Sequence, residues 1–290
     1  MAPLVMTVGG RERGRRMEAA RHVVRFSFNG RAFRGYARQP GGGTVEDELI
    51  GALKAARLID GSKEAHFSSA SRVDRGVSAI SAAAAFDSRA PAGRILRSVN
   101  SRTPNVLVHS IATVEEGFDP RRRAVSRWYR YHFPPSGMPS GLDLVSMKEA
   151  AELFLGEHDY TAFARLEGRN PRRVITEISV ERWSGSVVMD VRGKTFLWNQ
   201  VRRMASALHM VGTGRAGTDD IAGALATGNG GPFPPSPPEG LFLMDVVFDG
   251  LEFEPANDLP KGTLERLRDE RHAELCSLSY YDYIGEKVRF

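Results

Sequence analysis

The chain has 290 residues, a net charge of +5 and a single cysteine, Cys276. One cysteine excludes an internal disulfide and a Cys-x-x-Cys zinc site. No apolar run is long enough for a membrane helix or a signal peptide. We therefore expect a cytoplasmic protein that binds neither metal nor membrane. Only six of the 40 basic residues are lysines, which indicates a nucleic-acid partner or, equally well, a genomic bias toward arginine codons.

The chain begins with residues 1–21, which carry arginines and show no apolar period. This pattern predicts a disordered basic extension. An arm that clamps RNA, or an upstream segment before a true start at Met17, are the alternatives. After it we place an N-terminal α/β half over 22–115, a C-terminal α/β half over 116–250 and a tail over 251–290.

In the first half, strands and helices alternate. Val24, Phe26 and Phe28 alternate with polar residues, as in a half-buried strand. Thr44 has the pattern of a helix N-cap, because acidic residues and then an apolar face follow it. The remaining patterns predict a strand over 78–86, a helix over 91–99 and a strand over 106–114.

The second half repeats this alternation. Tyr129, Tyr131 and Phe133 share one face of a strand, and residues 146–149 (SMKE) have the pattern of a capping box for a helix that ends near Gly156. The later patterns predict strands over 174–180 and 187–191, a strand near 195, a helix over 201–211, a loop over 228–238 and a strand over 241–248. Two α/β halves that face each other would form a cleft. The tail has no predicted element, and whether it docks on the body stays open.

Residues 71–79 (SRVDRGVSA) are the most informative segment of the chain. They place one carboxylate, Asp74, between Arg72 and Arg75 and ahead of Gly76, which permits a tight turn. Flanking guanidinium groups favour an ionised carboxylate, which suits a nucleophile better than a general acid. From these residues alone, a surface loop with ordinary salt bridges is the alternative.

Two further residues each have two interpretations from the sequence alone. Tyr129 is either a core aromatic or a stacking platform for a base that has left its helix. Arg202 follows the apolar Val201, so it is either a solvated helix charge or the inward partner of a buried carboxylate.

Two suggestive motifs are not interpreted as sites. Residues 212–217 (GTGRAG) fit Gly-x-Gly-x-x-Gly, but they follow a predicted helix instead of opening one, so they predict a glycine-rich helix C-cap and not a phosphate loop. His158 and Asp159 have no second cluster at metal-ligand spacing, and both side chains can serve loop hydrogen bonds. We therefore expect no metal site.

Five blocks of the sequence, in this order, resemble the TruA family of tRNA pseudouridine synthases. The blocks are residues 33–46 (FRGYARQP followed by TVE), 71–79, 127–131 (RWYRY), 156–163 (GEHDYTAF) and 193–214 (GKTFLWNQVRRM followed by VGTG). The resemblance implies the pseudouridine synthase fold, an α+β body with a long, mostly antiparallel sheet flanked by helices. Two ferredoxin-like, RRM-like halves would form the central cleft.

The resemblance also implies a reaction and a partner. The enzyme would convert uridine to pseudouridine in tRNA, on the 3′ side of the anticodon arm, by an aspartate nucleophile. Nothing is oxidised and nothing is added in this isomerisation, so no cofactor is expected. The family works as a homodimer in which one RNA contacts both subunits.

Carried over position by position, the resemblance implies roles for single residues. Asp74 is the catalytic carboxylate, and Arg202, together with Arg72, keeps it ionised and aimed. Tyr129 stacks on the base and relays the proton that leaves its C5. We assign substrate binding to further residues of the same blocks: Arg75, Tyr36, Arg38, Gln39, Arg203 and Phe196.

The sequence departs from the common bacterial pattern of the family at four positions. Val73 stands for threonine, Ser78 for histidine, Tyr36 for tryptophan and Tyr160 for phenylalanine. None of these replacements removes a catalytic group, so they predict an archaeal-type or divergent member.

The alternative function is a non-catalytic RNA-binding protein or tRNA chaperone on the same fold. Asp74, Tyr129 and Arg202 occur together in this sequence. Binding alone needs no ionised carboxylate that faces RNA, so their joint presence argues for the enzyme.

Overall fold

A computed structural model of the chain describes residues 18–134, 141–229 and 233–288. The strands are β1 Ala20–Phe28, β2 Ser68–Ser69, β3 Ser78–Ser88, β4 Val106–Val114, β5 Ala124–His132, β6 Gly156–Asp159, β7 Arg172–Trp183, β8 Ser186–Gly193, β9 Leu241–Phe248 and β10 Glu254–Pro255. The α-helices are α1 Val45–Ala55, α2 Ala92–Asn100, α3 Pro120–Arg123, α4 Leu144–Glu152, α5 Gln200–Gly212, α6 Thr218–Thr227 and α7 Lys261–Val288. No helix within these ranges is long and apolar enough to cross a membrane.

The ten strands form one sheet in the order β10-β4-β1-β3-β9-β5-β8-β7-β6, with β2 paired to β3 beside this path. The first half runs β1-α1-β2-β3-α2-β4 and has the spatial order β4-β1-β3-β2. The second half runs β5-α4-β7-β8-α5-β9 and has the matching order β9-β5-β8-β7, with β6 and α6 added. Both are ferredoxin-like β-α-β-β-α-β units. The predicted α+β fold with two such halves is therefore confirmed.

The two halves join along one edge of β3. Ser78 and Ala79 at its start pair in parallel with Phe242 and Leu243 of β9, whereas β2 pairs antiparallel with the same edge further along. The other strand pairs of the described residues are antiparallel. Because the edge of β3 changes partner, the segment between β2 and β3, residues 70–77, lies at the fork where the halves meet.

The core follows from the patterns of single elements. Thr44 accepts a hydrogen bond from the Asp47 amide at 3.2 Å, and the Asp47 carboxylate accepts one from the Thr44 amide at 3.3 Å. This capping box starts α1 and turns its apolar face, with Leu49 and Leu53, into the core beside Phe26. The predicted cap and strand are confirmed here.

Two element predictions were wrong in detail. Helix α4 starts after Asp143 and not at the predicted cap Ser146, because the Asp143 carboxylate already accepts from the Val145 and Ser146 amides. No strand forms near residue 195 either. Only Trp198 makes an isolated bridge there, with Arg165.

The structure describes part of each end of the chain. Residues 1–17 lie outside the described residues, but Arg21, which was assigned to the extension, belongs to β1. Its guanidinium is buried and donates to the Phe118 carbonyl at 2.6 Å and to the Asp87 carboxylate at 2.8 Å. The tail adds strand β10 and the long helix α7, whose Thr263 hydroxyl donates to the Asn100 carbonyl at 3.1 Å. The start of this tail therefore docks on the first half.

Candidate active site

The loop that carries Asp74 is held tightly on both sides. The Val77 amide donates to the Asp74 carbonyl at 3.2 Å, which closes a turn around Gly76. Gly76 has a φ of +88°, and a Cβ at this position would lie 2.9 Å from Cγ of Pro238. On the other side, a Cβ on Gly30 would lie 2.3 Å from the Val77 carbonyl oxygen. Only glycines permit this close approach, so the loop is wedged between the two halves.

Two side chains from the second half meet the Asp74 carboxylate. Nη1 of Arg202 donates to its Oδ2 at 2.8 Å, and Nε1 of Trp198 donates to its Oδ1 at 3.0 Å. The carboxylate is 29% exposed and Arg202 14% exposed, so the ion pair is partly shielded from water at the fork. The predicted contact between Arg202 and Asp74 is thus formed.

Helix α5 and the loop that leads into β9 orient the Arg202 side chain. Val201 faces the core and places Arg202 at the edge of the buried face. The Nε of Arg202 donates to the Ser236 carbonyl at 2.7 Å, the Ser236 amide donates back to the Arg202 carbonyl at 3.1 Å, and Nη1 donates to Oδ1 of Asn199 at 3.1 Å. These bonds leave the guanidinium little freedom to turn away from Asp74.

Arg203, one residue further along α5, points elsewhere. Its Nη1 donates to the Phe233 carbonyl at 3.1 Å, and the Phe233 ring stacks on Phe163 at a centroid distance of 5.1 Å. Arg203 makes no hydrogen bond or ion pair with Asp74 in the described part of the chain. The structure therefore does not bring this predicted substrate-binding residue to the carboxylate.

Tyr129 lies on the buried face of β5, close enough to Asp74 for the carboxylate to act on its hydroxyl. The side chain is 8% exposed, and burial raises the pKa of its hydroxyl, an effect that Arg127 opposes and that Asp74 reinforces. Phe196 contacts the ring edge-on, at a centroid distance of 5.2 Å and an angle of 82°. The structure therefore brings Tyr129, Phe196 and Asp74 together.

Sequence reasoning gave no role to Arg127, which is buried behind this cluster. It is 5% exposed, and its Nε donates to the Ser71 hydroxyl at 2.9 Å and its Nη2 to the Ala70 carbonyl at 2.8 Å. Burial lowers the pKa of Arg127. One signal could have found it: Arg127 lies two residues before Tyr129 on a strand, and hence on the same face.

Trp198 was likewise quoted in a motif without a role. Besides its bond to Asp74, its ring is covered on one face by Arg165, whose Cζ lies 4.3 Å from the ring centroid. The Arg165 amide also donates to the Trp198 carbonyl at 2.9 Å. Such an arginine–indole contact stabilises the side chain in place. Only the fold brings these distant residues together, so no local sequence pattern predicts the contact.

The expected ion pairs of Arg72 and Arg75 with Asp74 are not formed. Both side chains are exposed, and neither makes an ion pair with Asp74 in the described ranges. Burial raises the pKa of Tyr36, and the Arg72 charge opposes this rise, so Arg72 lies near Tyr36 of the first half. Side chains next to each other in an extended or turning segment point in different directions, which is why sequence adjacency failed here.

The first of the five sequence blocks, residues 33–46, makes no contact with the Asp74 carboxylate in the described part of the chain. Tyr36 is buried in the core at 3% exposure, where its ring contacts Phe28 at 6.0 Å between centroids. Arg38 is exposed and pairs with Asp47 at 3.0 Å. The Gln39 amide donates to the Arg34 carbonyl at 3.3 Å. None of the three predicted residues contacts Asp74 in the described part of the chain.

The two motifs that were set aside have structural roles. Helix α5 ends at Gly212, and Gly214 follows with a φ of +68°, as expected of a helix C-cap. The His158 ring contacts the Leu155 carbonyl at 2.7 Å, and the Asp159 carboxylate accepts from the Thr161 amide. In the described ranges, no three His, Cys, Asp or Glu side chains are grouped so that they could hold a metal ion.

Five exposed cationic residues lie in or beside the segments that form the cluster. Arg72 and Arg75 flank Asp74 in the loop, Arg165 covers Trp198, and the backbone carbonyls of Arg121 and Lys194 both accept hydrogen bonds from buried Arg127. None of the five makes an ion pair with another residue of the described ranges. A partly buried carboxylate with a basic rim suits a substrate that carries phosphates.

Comparison with known proteins gives matches over most of the chain. Residues 150–249 match the family described as tRNA pseudouridine synthase. A protein named tRNA pseudouridine synthase A from Thermococcus kodakarensis is 39% identical over 234 residues, 80% of this chain and 86% of that protein. Proteins of the same name from Methanoculleus marisnigri and Pyrococcus furiosus are 42% identical over 234 residues and 38% identical over 275 residues. These matches cover 80% and 91% of this chain, and 84% and 97% of the two relatives.

Proposed function

This chain belongs to the family of tRNA pseudouridine synthases, and from that premise we propose that it isomerises uridine in the anticodon arm of tRNA, with Asp74 as the nucleophile. One observation carries the proposal. Asp74 stands at the fork of the two halves, and its two carboxylate oxygens accept from Arg202 at 2.8 Å and from Trp198 at 3.0 Å. Because an ionised carboxylate held in this way is aimed, it suits attack on a sugar carbon.

The chemistry requires one carboxylate and no redox partner. The bond between N1 of uracil and C1′ of the ribose breaks, the freed uracil rotates, and C5 forms the new bond to C1′. C5 loses a proton and N1 gains one, so the atoms balance without a cofactor. Asp74 would attack C1′; removal of the 2′ proton to give a glycal is the other route for the same carboxylate. A primary isotope effect with 2′-deuterated uridine would identify that second route.

Tyr129 and the basic rim supply the remaining functions of the site. The target uridine must leave its stack to reach Asp74, and an aromatic ring then offers it a new stacking partner. Tyr129 lies next to Asp74 and is fixed edge-on by Phe196. Its hydroxyl is the proposed acceptor of the C5 proton. The exposed arginines around the loop would bind the RNA phosphates, Arg72 and Arg75 among them.

We further propose that two copies act together in the cytoplasm, with one tRNA contacting both, because this is what the family resemblance implies. Sedimentation or light scattering with and without tRNA checks the stoichiometry, and a complex of one chain with one tRNA would contradict it. The alternative of a non-catalytic RNA chaperone does not account for the aimed carboxylate. A binding surface for RNA has no use for an ion pair that keeps a negative charge facing phosphates.

Incubation with an unmodified tRNA transcript, followed by mapping of pseudouridine at single-nucleotide resolution, tests the function. We expect pseudouridine on the 3′ side of the anticodon arm. The matched control is the same transcript with cytidine at those positions, which should stay unmodified. Pseudouridine elsewhere would contradict the proposed position, and no pseudouridine in any transcript would contradict the proposed function.

A further inference from the structure

Arg127 is a buried cation for which the described residues supply no carboxylate partner. Its guanidinium donates only to neutral acceptors: the Ser71 hydroxyl, the Ala70 carbonyl at 2.8 Å, the Arg121 carbonyl at 3.1 Å and the Lys194 carbonyl. A buried charge without a counter-ion is costly. Tyr129 lies two residues further along β5 on the same buried face, so the positive charge of Arg127 acts on it.

Ser71 connects the two side chains. Nε of Arg127 donates to Oγ of Ser71 at 2.9 Å, so this oxygen is engaged as an acceptor and its own proton is directed elsewhere. Burial raises the pKa of the Tyr129 hydroxyl most strongly, and the Ser71 hydroxyl lies close enough to oppose that rise. A hydroxyl that accepts from a cation is a stronger donor, because hydrogen bonds in a chain polarise one another.

We propose that Arg127 is a positioning residue that, through Ser71, favours the negative charge on the Tyr129 oxygen while that oxygen takes the proton from C5 of uracil. This inference rests on the proposed function, since it concerns one step of the same reaction. This role accounts for a buried guanidinium without a counter-ion, which would otherwise only destabilise the fold. The three hydrogen bonds to backbone carbonyls hold the Arg127 guanidinium in place, and the hydrogen bond to the Ser71 hydroxyl transmits its effect to Tyr129.

The proton step balances without a further reactant. The C5–H bond breaks after C5 has joined C1′, and its electron pair restores the double bond of the uracil ring. The ionised Tyr129 oxygen forms an O–H bond with the departing proton. Tyr129 then returns this proton to solvent water, and water supplies the proton that N1 carries in the product.

Two influences favour the charge on Tyr129 and two oppose it. Burial acts most strongly and raises the pKa of Tyr129, and the negative Asp74 raises it further. Arg127 and Ser71 both lower the pKa of this hydroxyl. Phe196, which packs on the ring edge, brings no charge. Without Arg127 and Ser71, a smaller fraction of Tyr129 would be ionised and able to accept the proton.

Ser71→Ala tests the link, because it removes the hydroxyl and leaves the carbonyl bonds of Arg127 in place. We expect turnover under saturating tRNA to fall about 10- to 150-fold, the weight of one hydrogen bond to a charged group, with tRNA affinity unchanged within a few-fold. In a Tyr129→Phe background the same change should cost less than about three-fold, since the hydroxyl that it serves is already gone. Equal losses in both backgrounds, or no loss in either, would overturn the proposal.

An isotope effect separates the proposed role from simple displacement of the loop. With tRNA that carries 5-deuterated uridine, Ser71→Ala should show an isotope effect at least as large as that of the unaltered enzyme, because C5–H cleavage becomes slower. Displacement of Asp74 would slow the glycosidic step instead and reduce the isotope effect, which would contradict the proposal. The matched control is Ser69→Ala, two residues earlier, whose hydroxyl donates to Glu46 at 2.9 Å.

Arg127→Lys is the second variant and keeps a cation in the same place. It should retain more turnover than Arg127→Gln, and thermal melting shows whether each variant is folded. Equal turnover in two folded variants would contradict a role for the charge. The unaltered enzyme is assayed alongside: if it makes no pseudouridine, the proposed function has failed, whereas failure of the variants alone affects only this inference.

Discussion

Replacing Arg202 with methionine removes the cation that meets Asp74 while leaving a side chain that suits a helix. The lost bond joins Nη1 of Arg202 to Oδ2 of Asp74 at 2.8 Å. A hydrogen bond to a charged group contributes about 1.5–3 kcal/mol, which corresponds to about 10- to 150-fold in rate, since 1.4 kcal/mol is tenfold. The variant also loses the bond to the Ser236 carbonyl, which orders the loop beside Asp74. We therefore expect kcat to fall by at least about 10²-fold.

Single-turnover formation of pseudouridine with enzyme in excess measures this loss, and equilibrium binding gives the Kd for tRNA, which should change only a few-fold. Arg203→Met is the matched control for the chemical step, because Arg203 lies next on the same helix and bonds to the Phe233 carbonyl instead. It should keep kcat within about three-fold, whatever its effect on KM. The reasoning is refuted if Arg202→Met retains a third of the wild-type kcat, or if the two variants lose equal amounts.

Three other variants or conditions test the remaining parts of the site. Tyr129→Phe should slow turnover by about 10²–10⁴-fold if its hydroxyl takes the C5 proton. Tyr129→Leu should also lose about 1–3 kcal/mol of base stacking. Near-normal rates for both variants would show that Tyr129 is not part of the site. The affinity for tRNA should fall with a log–log salt slope of about −3.5 if each of the five exposed cations meets one phosphate, and a flat salt dependence would exclude this rim as the RNA contact. Gly76→Ala combines a φ of +88° with a Cβ that would lie 2.9 Å from Pro238, so urea denaturation should show a loss of about 1–3 kcal/mol. Gly214→Ala, with a φ of +68° and open space around it, should lose less, and equal losses would show that the contact with Pro238 does not matter.

Local patterns were enough to predict much of the fold. The N-cap Thr44, the strand with Phe26 and Phe28, and the alternation in both halves each depend on residues within a few positions of one another. The cap of α4 was misplaced because Asp143 and Ser146 are both good caps, and only the structure shows that the carboxylate accepts both amides. The long helix α7 was missed because its sequence is polar on most sides and gives little apolar period.

The site was predicted unevenly, for a physical reason. Asp74 and Arg202 are assigned by motif, and their contact at 2.8 Å agrees with that assignment. Arg72 was expected beside Asp74 because it is close in sequence, but the direction of a loop side chain depends on the path of the loop. Trp198 and Arg127 reach the loop only through the packing of the second half on the first. No local pattern reports such contacts.

The role of Asp74 is tested most directly by Asp74→Asn, assayed on an unmodified tRNA transcript together with the unaltered enzyme. Asparagine keeps the size of the side chain and its hydrogen bonding to Trp198 or Arg202, but it provides no carboxylate for the sugar. We expect no pseudouridine from the variant, with its Kd for tRNA within a few-fold of the unaltered value, because contacts to phosphates dominate affinity. Retention of even a tenth of the wild-type rate would show that Asp74 is not the reacting group.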